Sequence, residues 1–114
     1  MTITKASKEN FNMQELFNLT MTPEAQKLSD LKDSIVDFTA WCVYEDVNSE
    51  GETQTLFSLV TPEGETYATN SKTFREAFLR IVDLSAETGE AFNRVKVSGG
   101  ISKAGREFIT AVLA

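Results

Sequence analysis

The ten residues IVDFTAWCVY, Ile35 to Tyr44, decide how the rest of the chain is read. They are rich in β-branched and aromatic side chains and hold neither proline nor glycine, which predicts one long strand. Apolar residues fall at both alternating positions. A strand that is apolar on both faces suits a bent barrel strand, with its inner face in the core and its outer face partly apolar for a ligand or a covering segment.

Downstream, the polar run EDVNSEGE (Glu45 to Glu52) reads as a turn, and TLFSLVT (Thr55 to Thr61) as a second strand. Thr61-Pro62-Glu63-Gly64 carries proline second and glycine fourth, the preference of a type I turn, and TYAT (Thr66 to Thr69) follows as a short third strand. Asn70 or Ser71 can cap a helix on which Phe74, Ala77, Phe78, Ile81, Val82 and Ser85 recur at steps of three and four. After a loop, SAETGE, the segment FNRVKVS (Phe92 to Ser98) alternates, with Val95 and Val97 on one side and Arg94 and Lys96 on the other. GGISKAG (Gly99 to Gly105) reads as a loop, and REFITAVL (Arg106 to Leu113) as the last strand.

Upstream, residues 1–10 are polar, and Phe11, Met13, Leu16, Phe17, Leu19 and Met21 show some helical spacing. Thr22-Pro23-Glu24 resembles an N-cap with proline at the first helical position, opening a short helix with Ala25, Leu28 and Leu31 on one face. Residues 1–33 therefore read as an N-terminal arm with a short helix, a lid on the core or a self-association contact, and residues 34–114 as the main domain. That domain is mainly β with one helix, in the order β-β-β-α-β-β. This is the order of the five-stranded OB-fold barrel, which binds oligonucleotides or oligosaccharides, and other small α+β folds share it.

With 114 residues the chain fits one domain with one core. It has no histidine, which removes the commonest general base and metal ligand, and Cys42 has no second cysteine with which to bridge. No catalytic residue, metal or cofactor is expected. Glu45, Asp46, Glu50 and Glu52 lack the EF-hand spacing and read as a solvated loop. No apolar run reaches the length of a membrane span, and MTITKASKEN lacks the apolar centre of a signal peptide, so the expected location is a bacterial cytoplasm.

The net charge of −6 is unevenly spread. Residues 33–69 hold eight acids and no base, whereas residues 70–114 hold seven bases against five acids. The basic loop GGISKAGR, with Lys103 and Arg106, joins strands that also carry Arg94 and Lys96. Such a track suits a phosphate backbone, and glycines allow close main-chain approach. Lys72 adds a cation at the helix start. Bases would stack on aromatic side chains, for which Trp41, Tyr44 and Tyr67 are the candidates, while Phe57 and Phe108 read as core.

The segments TYATNSKTFREAF (Thr66 to Phe78) and SKAGREFITAVL (Ser102 to Leu113) resemble the small single-stranded DNA-binding proteins of tailed bacteriophages and mobile elements of Gram-positive bacteria. The resemblance implies an OB-fold that coats single strands during replication or recombination, without catalysis, alongside replication or recombination proteins. The sequence departs from the housekeeping bacterial version in ending on EFITAVLA without an acidic tail, and the N-terminal arm lies outside the shared pattern. The competing reading is an acidic mimic of nucleic acid that blocks a host nuclease or defence complex, for which the acidic block speaks. A structural virion adaptor is a third reading.

Overall fold

A computed structural model describes residues 1–114. The chain is a mixed α/β protein with two helices and two sheets. In chain order the elements are β1 (Thr2–Ala6), α1 (Met13–Thr20), β2 (Gln26–Lys27), a 3-10 turn (Leu28–Leu31), β3 (Ser34–Asp37), β4 (Ala40–Val47), β5 (Thr53–Val60), β6 (Thr66–Thr69), α2 (Lys72–Thr88), β7 (Arg94–Ile101) and β8 (Glu107–Leu113).

The segment Ile35–Tyr44 is two strands, and the two belong to different sheets. β3 pairs antiparallel with β7, while β4 pairs antiparallel with β5 and β1. The switch falls between consecutive residues. The N–H of Phe38 donates to the carbonyl of Asn93, and the N–H of Thr39 donates to that of Val60. One sheet thus runs β1-β4-β5-β6-β2 and the other β3-β7-β8, and no ladder joins them into a closed barrel.

Helix α2 forms where its periodicity predicts. The Ser71 hydroxyl accepts from the N–H of Phe74, and Phe74 and Phe78 are fully buried. The helix runs through Ser85–Thr88, the stretch read as a loop, and stops at Gly89, which takes a left-handed φ of 74°. That conformation costs glycine little, so Gly89 terminates the helix as a C-cap. Phe74 and Phe78 meet Phe57, with ring centroids 5.4 and 4.6 Å away, and Trp41 packs edge-on to Phe78 at 5.2 Å. Phe38 and Phe92 extend the cluster, and Val36, Val95, Val97 and Ile109 complete the core from the smaller sheet.

The arm is built into the larger sheet rather than set apart from it. β1 forms one edge against β4, and β2 forms the other, parallel to β6. The helix expected from Thr22 onward is reduced to the 3-10 turn, because Gln26 and Lys27 are drawn into register with Tyr67 and Ala68. Helix α1 forms instead from Met13, where Asn12 and Glu15 make a reciprocal capping box. It lies across the sheet face opposite the main core. There Leu19 packs with Cys42 and Tyr44, and Phe11, Leu56 and Val60 join the contact. Two buried hydroxyls fasten it: Ser58 donates to the Leu19 carbonyl at 2.6 Å and Thr66 to the Asn18 carbonyl at 2.7 Å.

Three hairpin turns share one plan. Asn48–Gly51, Thr61–Gly64 and Ser102–Gly105 each close with the glycine N–H donating to the carbonyl of the first residue, and each glycine has φ between 79° and 85°. In each, the first residue's side-chain oxygen also accepts from the backbone N–H after the glycine, at 3.0 to 3.2 Å.

Candidate nucleic-acid interface

The expected cationic track is realised in part. β7 and β8 form a hairpin in which Lys96 pairs with Val112 and Gly100 with Phe108. β7 continues through Gly99, Gly100 and Ile101, so the loop contracts to the turn Ser102–Gly105 before Arg106. Lys96, Lys103 and Arg106 are exposed and make no salt bridge. Arg94 is committed elsewhere: its Nε donates to Asp37 Oδ1 at 2.6 Å and its Nη2 to Oδ2 at 3.4 Å. This hydrogen-bonded fork holds the Asp37 carboxyl below its usual range and raises the Arg94 guanidinium further above neutrality. Lys72 stands at the start of α2 and reaches Glu76 at 3.8 Å.

The aromatic candidates are displaced from the surface. Trp41, Tyr44 and Tyr67 are only 6%, 5% and 9% exposed. Trp41 faces the aromatic core, where its large ring is covered by Phe57 and Phe78. Tyr44 faces the other side of the same sheet and is covered by α1, and burial is the main cause that raises its phenol above its ordinary range. Tyr67 sits in the main cluster with its hydroxyl 3.5 Å from Glu65, an oxygen that also accepts from Gln26 Nε2 at 3.0 Å. Burial raises the Tyr67 phenol first, and the nearby charges of Glu65, Asp30 and Glu63 add to it. None of the three presents a ring face to solvent for stacking, because each apolar body has found its cover inside the fold.

Among the aromatic residues of the strands, the one that reaches the surface is Phe108, at 37% exposure; the other exposed ring, Phe17, stands on α1. Its ring lies against Gly100 across the ladder, where a Cβ would come within 2.7 Å of Cζ. Its neighbour Gly99 has the same property on the opposite face, where a side chain would collide with the aliphatic stem of Lys32. The sequence signal was present in the glycine pair: glycine inside a strand marks the close approach of another group. Glycines assigned to a loop carry no such signal.

A cleft of about 450 Å³ lies between the end of α2 and β8 and is lined by Ile81, Leu84, Phe92 and Leu113. Its one cationic side chain is the engaged Arg94, so it is separate from the free cations of the hairpin tip. No helix is long and apolar enough to cross a membrane. No protein-family model, curated protein or solved structure matches the chain.

Proposed function

We propose that the protein binds single-stranded DNA without sequence preference and serves phage DNA replication or recombination. The observation that carries this reading is the β7–β8 hairpin, which exposes Lys96, Lys103 and Arg106 without acidic partners. Three free cations within one hairpin in a chain of net charge −6 form a local phosphate track. The resemblance of Thr66–Phe78 and Ser102–Leu113 to phage single-strand binders points the same way. For the OB type of the fold, the support is the passage of the chain from β3 in one sheet to β4 in the other, with α2 standing between β6 and β7. In this reading the sheets form an open relative of the barrel.

The test is titration of labelled oligo-dT at several salt concentrations, alongside duplex DNA. Single strands are expected to bind at low salt in preference to duplex, with a shallow salt dependence. Each phosphate contact adds only about 0.7 to the logarithmic slope. Changing Lys103 and Arg106 together to alanine should weaken binding and reduce that slope by about 1.4 if each holds one phosphate. Absence of binding at low salt would overturn the reading, and capture of a basic protein in its place would favour the acidic mimic.

A further inference from the structure

We propose that the nucleobases stack on the outer face of the three-stranded sheet, with Phe108 as their platform. This inference rests on the single-strand reading and assigns its base contacts. β3, β7 and β8 alternate cleanly, with Val36, Val95, Val97, Ile109 and Ala111 turned into the core. The opposite positions, Ile35, Lys96, Ser98, Phe108, Thr110 and Val112, are turned outward, and no helix or strand covers them.

Phe108 is prepared for stacking in a way that a mobile surface ring is not. One side of it rests on the bare backbone of Gly100, and part of the ring remains open to solvent. Holding the ring before the ligand arrives removes part of the ordering cost of binding. Ser102 N–H donates to the Arg106 carbonyl, so these two residues form the next rung beyond Ile101 and Glu107. By alternation Arg106 shares the face of Phe108, about 7 Å along the strand. Lys96 occupies the same face on β7, and the one acid there, Asp37, is neutralised by Arg94. An apolar ring with flanking free cations, on a face where Asp37 is paired and from which Glu107 alternates away, complements a base and its phosphates, the combination used by single-strand binders.

The other broad sheet offers no such surface, since α1 covers one of its faces and the core the other.

The experiment compares full-length wild type with Phe108→Leu, Phe108→Tyr and Gly100→Ala. Each is titrated with oligo-dT and with an abasic phosphodiester strand of equal length. Circular dichroism checks the fold. Wild type should prefer oligo-dT to the abasic strand by at least about five-fold, the lower end of one stacked base. Phe108→Leu should erase that preference and leave abasic binding unchanged, Phe108→Tyr should restore it, and Gly100→Ala should weaken it by pushing the ring off its seat. Equal preference in wild type and a folded Phe108→Leu would overturn this assignment while leaving single-strand binding intact. Loss of self-association in sedimentation on Phe108→Leu, without change in DNA binding, would overturn it in favour of a protein contact. Failure of wild type to bind either strand at low salt would instead remove the functional reading beneath it.

Discussion

The two sheets share a backbone segment but differ in what covers them. The five-stranded sheet is enclosed, with the aromatic core and α2 on one side and α1 on the other. The three-stranded sheet has a core on one side and open solvent on the other, where Ile35, Lys96, Phe108 and Val112 stand exposed. An aromatic residue therefore has a different meaning in each. In the first it is a packing element whatever its polar tip, and in the second it is available to a ligand.

The strongest way to break this contrast is to exchange the roles of the rings. Trp41→Ala should cost about 3–5 kcal/mol in chemical denaturation, as expected for a large buried ring. Phe108→Ala should cost well under half of that and act chiefly on binding. Comparable stability losses would show that the open sheet is as closed as the other.

Next in size is the fastening of α1. Ser58→Ala removes the hydroxyl that Leu19 accepts and leaves a buried carbonyl without that donor, at a cost of about 1–3 kcal/mol. Because the one Ser58 proton goes to Leu19, the Cys42 thiol, 3.6 Å from Ser58 Oγ, is the donor between those two groups. Burial raises the Cys42 thiol above its ordinary range, so it should resist thiol reagents in the wild type. Faster labelling of Cys42 in Ser58→Ala would register the loosening of the α1 face, and unchanged labelling would show that α1 does not depend on this bond.

Asn12→Ala, which removes the capping box, should cost about 1 kcal/mol in thermal or chemical unfolding. An unchanged midpoint would mean that packing alone holds α1.

The smallest expected effect sharpens the electrostatics of the open sheet. The Arg94 contact holds Asp37 below its ordinary value, so the stability it contributes is present above the unfolded carboxyl value of about 3.9 and is lost as pH falls through the lower folded value. Asp37→Asn should flatten that acid limb and release Arg94. The variant should bind oligo-dT more tightly and with a steeper salt dependence than wild type. Unaltered salt dependence would place Arg94 outside the binding face.

Local chemistry was legible where one short segment contains its own instructions. Ser71 with the Phe74 and Phe78 stripe defined the start of α2, and Thr61-Pro62-Glu63-Gly64 defined a turn, because capping and positive φ depend on neighbours in sequence. The switch between sheets at Phe38 and Thr39 was not legible. Its cause lies in partners, Asn93 and Val60, that are distant in the chain. The same holds for Gln26 and Lys27, which follow a helical signal but pair with β6.

The site followed this division. The basic residues of the hairpin were recognisable from composition and spacing, while ring exposure depends on which layer covers each face. Tyr44 is hidden because α1 crosses over it, and nothing within IVDFTAWCVY announces that helix.

The shared plan of the three turns bears on how the hairpin tip can change. In Ser102–Gly105 the closing contacts use the backbone, the Ser102 hydroxyl and the glycine conformation, and they leave the side chains of Lys103 and Ala104 without a structural duty. These two positions therefore form a cassette whose charge can be rewritten at little cost to folding. Under the proposed single-strand reading, a lineage could strengthen, weaken or reverse the attraction to phosphate there while the β-scaffold beneath remains the same.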